Sequence, residues 1–197
     1  MKNFILALLI SFCILTPLTA LAEEGAPTSA LTEAVNLFIG VASNKALSIE
    51  EKKSRITDIV RDKVDLPVAS QRVVSRYWKK STKEEKKEFI ELFTKVIVNT
   101  YASLLNQYNN EKVEYLKEDI KKGKYAKVDT NIVLIDKKIP VNYKLLLRKE
   151  QWRIYDFSAE GISLISTYTS DYKSTLKRGG LAGLNALLKT KLADKVN

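Results

Sequence analysis

The sequence predicts an α+β domain in which N-terminal helices, a four-stranded antiparallel meander sheet and C-terminal helices enclose an apolar pocket between helices and sheet. Three observations predict it. Apolar residues recur at helical spacing as far as Tyr108. From Lys112 to Phe157 the period changes to two, with turn residues at Gly123, Asp136–Lys138 and Lys149–Glu150. From Ile162 onward the helical spacing returns. Helices segregated in sequence from a meander with one apolar face pack together on that face.

Each element has its own signal. After a disordered lead-in, Glu23–Thr28, a helix is predicted from about Ser29 to Asn44 with Leu31, Val35, Leu37, Phe38 and Val41 on its apolar face. Ser48 opens a second helix, because its hydroxyl caps the first turn and Glu51, three residues on, completes a capping box. Ile56, Ile59, Val60 and Val64 face inward from it. Asp65-Leu66-Pro67 ends that helix and starts a short third one, with Pro67 at a permitted early position; it ends at Tyr77-Trp78. Ser81 with Glu84 forms another capping box and opens a long helix to Tyr108.

In the sheet, Lys112–Ile120 alternates weakly, whereas Tyr125–Ile135 places Ala126, Val128, Thr130, Ile132 and Leu134 on one face. Ile139, Val141, Tyr143, Leu145 and Leu147 share a face of the third strand, and Pro140, having no amide donor, suits an edge or a strand start. Gln151–Phe157 is the fourth strand, broken by Gly161. Ile162, Leu164, Ile165, Tyr168, Tyr172 and Leu176 then form a helical stripe that Gly179-Gly180 stops, and Leu181 to Leu192 make a last helix.

Residues 1–22 are predicted to be a cleavable signal peptide, leaving 23–197 as a single domain. Lys2 gives a positive start, Phe4–Leu15 an apolar run, Pro17 a break, and Ala20-Leu21-Ala22 a small-x-small cleavage pattern. Cys13 lacks the small residues before it that a lipid-anchored cysteine requires. No later apolar run is long enough to span a bilayer. The destination is therefore outside the cytoplasm.

Composition excludes several chemistries. The chain has no histidine, and its one cysteine and one methionine both fall within the leader. Zinc and softer metals lose their usual ligands, and histidine-based triads and cysteine nucleophiles are impossible. No calcium-type acidic loop and no glycine-rich phosphate loop is present. Ser170–Lys173 and Ser174–Lys177 match Ser-x-x-Lys, but the partner motifs of that nucleophile class are absent. No metal, cofactor or catalytic residue is expected. The net charge of +10 gives a basic surface suited to anionic membranes or acidic proteins, and export argues against nucleic acid.

The long helix is the most informative element. Its apolar positions, Phe89 through Tyr108, fill an arc of roughly 240°, against somewhat more than about 100° for a surface helix. It must be covered on two sides, and an apolar ligand is one possible cover. Aromatic residues collect on the faces that should meet: Tyr77, Trp78, Phe89, Phe93, Tyr101, Tyr143 and Trp152. A concave sheet closed by helices encloses a pocket, and acyl chains need only apolar lining. The expected lining is Val73, Tyr77, Phe89, Phe93, Val96, Ile97, Tyr101, Leu104, Val128, Ile132, Val141, Tyr143, Leu145, Trp152 and Ile165. Lys79 and Lys80 are the expected contacts to a headgroup or partner.

Five blocks resemble the MlaC family: Arg76-Tyr77-Trp78-Lys79-Lys80-Ser81-Thr82, Phe89-Ile90-Glu91-Leu92-Phe93, Thr100-Tyr101-Ala102-Ser103-Leu104-Leu105, Trp152-Arg153-Ile154-Tyr155-Asp156 and Glu160-Gly161-Ile162-Ser163-Leu164-Ile165. Their order and spacing match from about Ala34 to the C-terminus. The resemblance implies a soluble, non-enzymatic periplasmic carrier that binds phospholipid and moves it between membranes. It also implies docking to an inner-membrane ABC transporter through its MCE protein, and to an outer-membrane lipoprotein–porin complex. Many members carry a basic residue after the tyrosine matching Tyr168; here it is Thr169, so no fixed positive contact is implied there. Two rivals remain. One is an isomerase-like enzyme on a cone-shaped α+β fold with Asp156 as base inside the cavity. The other is an adaptor with a fully packed core.

Overall fold

The computed structural model describes residues 26–108 and 110–194, apart from the side chains of 102–107. The expected signal peptide, 1–22, lies outside the described residues. The fold is α+β: α1 Pro27–Ser43, α2 Ile49–Lys63, α3 Leu66–Val74, α4 Arg76–Lys80, α5 Lys83–Gln107, β1 Lys112–Lys121, β2 Tyr125–Val133, β3 Lys138–Arg148, β4 Gln151–Ala159, β5 Ile162–Ser163 and α6 Leu164–Ala193. The strands form one antiparallel sheet in sequence order. The four expected strands are present, and the two-residue β5 adds a fifth.

Local chemistry sets the boundaries. α1 starts at Pro27, where a missing amide is free of cost, so helix replaces the end of the expected lead-in. Thr28 anchors that start by donating its amide (2.8 Å) and hydroxyl (2.5 Å) to Glu118 of β1. The Ser48–Glu51 capping box forms as expected. The box on the long helix is one residue later than expected. Thr82 accepts from the Glu85 amide and Glu85 accepts from the Thr82 amide, while Ser81 instead closes α4, its hydroxyl donating to the Tyr77 carbonyl. The third predicted helix is two helices, because Ser75 takes φ 51° and ψ −122° and breaks the turn. Gly180, at φ 60° and ψ −156°, kinks α6 where two helices were expected. β2 stops at Val133, two residues short of the expected end.

Three apolar clusters build the interior. The largest joins α3, α5 and α6: Val73, Phe89, Phe93, Leu184 and Leu188 are essentially sealed from solvent within it. Phe89 and Phe93 stack at 5.4 Å, and Tyr168 meets Phe93 edge-on at 5.1 Å. A second cluster joins α1, α2 and α5 through Val41, Ala42, Ile56 and Val98. A third packs Leu31 of α1 onto Ala126, Val128 and Leu145 of the sheet. The wide apolar arc of α5 is thus covered on one side by α3 and α6 and on another by α1 and α2.

Candidate functional site

Between the helices and the inner sheet face the packing changes character. Val96, Ile97 and Tyr101 of α5 and Phe157 of β4 border the large helical cluster, yet they stay only half-buried, as does Ile132 on the same sheet face. Tyr101 meets Phe157 at 5.9 Å, and Phe157 meets Tyr143 at 6.3 Å. These three rings join the helical cluster to the sheet cluster. The strip carries no charge. Burial raises the Tyr101 phenol above its ordinary value and pushes Tyr143 up to about 12. Burial raises Tyr172, in the adjoining cluster, as well.

These shifts have an alkaline consequence. The folded state holds Tyr143 and Tyr172 neutral, whereas an unfolded phenol ionises near 10. The stability they contribute is complete below pH 10 and is lost as pH rises from 10 through about 12. Urea midpoints are expected to fall across that window, and Tyr143→Phe to flatten part of the fall.

A single extra residue decides which groups face this strip. β3 pairs Lys144 with Asp156 and Leu145 with Ile154, so Tyr155 is a bulge. Beyond it, Phe157 lies on the inner face with Tyr143, and Asp156 lies on the outer face with Lys144. The Asp156 carboxylate is 4% exposed and fully engaged. It accepts from Ser163 Oγ at 3.0 and 2.9 Å, from the Ile165 amide at 3.2 Å and from Lys144 Nζ at 2.9 Å. The base required by the isomerase reading is therefore not in the apolar strip.

On the outer side lies an open cleft of about 1010 Å³. One wall is Val68, Gln71, Arg72, Ser75, Arg76, Lys79 and Lys80 of the α3–α4 segment; the other is Tyr125, Lys144, Leu146, Tyr155 and Asp156 of the sheet, closed by Ser163, Ile165 and Ser166. Asp65 positions the α3 wall. It caps α3 through the Val68 amide, and it accepts from Arg148 at 3.3 and 3.1 Å.

The residues expected at the site divide into groups. Val73, Phe89 and Phe93 are packed within the helical cluster, with Tyr77, Val96, Ile97, Tyr101 and Ile165 at its margin. Val128 and Leu145 are buried beneath α1, with Tyr143 and Trp152 against them; Val141 is buried and Ile132 half-buried on the same sheet face. The side chain of Leu104 lies outside the described residues. Lys79 and Lys80 line the cleft, which Ile165 reaches as well. Thr169 donates to the Val73 carbonyl at 3.2 Å, a helix-to-helix contact. Among the described residues no acidic, histidine or cysteine cluster is placed to hold a metal, and no helix is long and apolar enough to cross a membrane.

Sequence reasoning missed Gln71, Arg72, Tyr125, Leu146 and Tyr155 of the cleft. The cation pair spaced four apart, Arg72 and Arg76, was the available signal; a helix face of this kind reads equally well as solvated surface.

Fold and site together define an α+β domain with a helical cap over one face of a meander sheet, an uncharged aromatic strip inside and a basic cleft outside. Over residues 32–190 the sequence matches the family model described as MlaC protein, and the chain belongs to that family. It is 23% identical over 189 residues to the intermembrane phospholipid transport system binding protein MlaC of Haemophilus influenzae, covering 91% of this chain and 88% of that protein. The fold is similar to that of the phospholipid-binding protein from Ralstonia solanacearum, solved in complex with a phospholipid. The TM-score is 0.78 at 20% identity, over 86% of this chain and 98% of that one.

Proposed function

We propose that the protein is a periplasmic phospholipid carrier, exported by a cleaved leader of residues 1–22 and acting as a monomer without catalysis. It shuttles phospholipid between an outer-membrane lipoprotein–porin complex and an inner-membrane MCE-protein/ABC transporter complex. Its acyl chains lie between α5 and the inner sheet face. The observation that carries this reading is the uncharged strip of half-buried residues, Val96, Ile97, Tyr101, Tyr143 and Phe157, flanked on both sides by sealed clusters. Family membership supports it, as do the names of the relatives, which specify phospholipid binding and intermembrane transport.

The energetics suit a carrier. At about 0.8 kcal/mol per buried methylene, a chain of about fifteen methylenes gains about 12 kcal/mol before ordering costs. No specific headgroup contact is then required for retention, and Lys79 and Lys80 serve a headgroup or partner at the surface.

Native mass spectrometry of protein purified from the envelope tests the proposal. A mass increment matching phospholipid is expected, and Ile97→Trp, which fills the strip, is expected to lower bound lipid by about threefold. A bare chain that also fails to take up added phospholipid would sink the carrier reading.

A further inference from the structure

We propose that the outer cleft binds a phosphate-type anion, either the phosphodiester of a lipid headgroup or free phosphate. Only the first source rests on the carrier reading. Arg72, Arg76, Lys79 and Lys80 stand along one wall, and Lys144 faces them from the other. Elsewhere some cations find carboxylates: Arg61 pairs with Glu91, Lys63 with Glu33, Lys138 with Glu114 and Lys189 with Glu88. Among the described residues the four cations of the α3–α4 wall pair with no carboxylate. The one carboxylate lining the cleft, Asp156, is already occupied by Ser163, the Ile165 amide and Lys144. The cleft therefore carries positive charge that the protein does not itself neutralise.

The arginines are also held in place. The Arg72 guanidinium lies 4.4 Å over the Tyr155 ring, and Arg76 lies 5.2 Å over Tyr77 while donating to its hydroxyl at 3.3 Å. A guanidinium stacked on a ring keeps its N–H edge available, and that planar fork suits two phosphate oxygens. Val68, Leu146, Ile165 and Tyr125 line the same cleft, so a phosphodiester with its glycerol finds apolar as well as cationic contact. A cleft of about 1010 Å³ has room for much more than an inorganic ion.

The test is an NMR titration of the intact purified protein at low ionic strength, once with inorganic phosphate and once with sn-glycero-3-phosphoglycerol, a headgroup without tails. Saturable shifts are expected at Arg72, Arg76 and Lys144. Tighter binding of the glycerophosphodiester assigns the site to a headgroup; equal or tighter binding of phosphate assigns it to the free ion. The Arg72→Gln/Arg76→Gln double variant should weaken binding at least about tenfold. A Lys117→Gln/Lys121→Gln control, which removes the same charge from β1, should leave it within about twofold. If the arginine variant loses its circular dichroism signature, Lys79→Gln/Lys80→Gln replaces it with the same expected direction. Unsaturable shifts, or equal weakening in the control, overturn the proposal. Lipid content is measured on the same samples by mass spectrometry. Protein that carries lipid without saturable anion binding overturns the cleft alone; protein that binds the anion but never lipid overturns the carrier alone.

Discussion

Replacing Phe93 by alanine is expected to lower the unfolding free energy by about 3–5 kcal/mol. Phe93 is 0% exposed. It stacks on Phe89 and receives the edges of Tyr168 at 5.1 Å and Tyr172 at 6.3 Å, so it is the centre of a four-ring group joining α5 to α6. Truncation removes transfer energy and also leaves a hole between two helices that the kinked α6 must partly collapse to fill. Urea denaturation measures the loss. Leu116→Ala on β1, where the side chain is 58% exposed, is the contrast and should fall within about 0.5 kcal/mol of the parent. A Phe93→Ala loss below about 1 kcal/mol would contradict the packing described for this cluster.

Asp156→Ala is expected to cost about 2–4 kcal/mol, for a different reason. The carboxylate receives the Ser163 hydroxyl and the Ile165 amide at the point where β5 becomes α6. Alanine leaves both donors without an acceptor at a half-buried corner of the cleft. Lys144, whose side chain is 42% exposed, rehydrates, so its ion pair contributes little of the loss. The effect should therefore be local as well as global: hydrogen exchange of the Ile165 amide should accelerate in the variant beyond what the change in global stability accounts for. Lys144→Gln should cost far less than Asp156→Ala. The reverse order would mean that the ion pair, rather than the helix start, holds this corner.

Much of the architecture was legible because its signals are local. The Ser48–Glu51 box, the change of period after Tyr108 and the alternation in β2 each depend on a few adjacent residues, and each element formed where those residues stand. The start of α5 was not resolved to the residue, since Ser81 and Thr82 both offer a hydroxyl, with Glu84 and Glu85 both in place to answer. The choice was made by α4, which uses Ser81 to close its own last turn. The break at Ser75 gave no warning, because a serine at positive φ is held by what surrounds it rather than by its own preference. The inner strip was legible from the over-wide arc of α5, whose Val96, Ile97 and Tyr101 lie at the margin of the helical cluster. The cleft was not. Its walls are the solvent face of a helix and the outer face of a sheet, and each alone has the pattern of an ordinary wet surface. Their partnership exists only after α3 is docked beside β4 by the Asp65–Ile154 backbone bond and the Asp65–Arg148 pair.

The bulge at Tyr155 makes the phase of β4 a chemical variable. Were the strand to pair regularly with all its residues kept, its end would be re-phased: the phenyl ring of Phe157 would turn out to water, and the acid of Asp156 would swing toward the interior. Every residue would keep its identity while the inner face gained a charge. In this architecture the bulge separates an uncharged inner face from one holding a carboxylate, whereas deleting Tyr155 itself would leave Asp156 opposite Lys144 and Phe157 opposite Tyr143. When relatives of this chain are compared, whether the β4 bulge is kept is therefore as informative as residue identity.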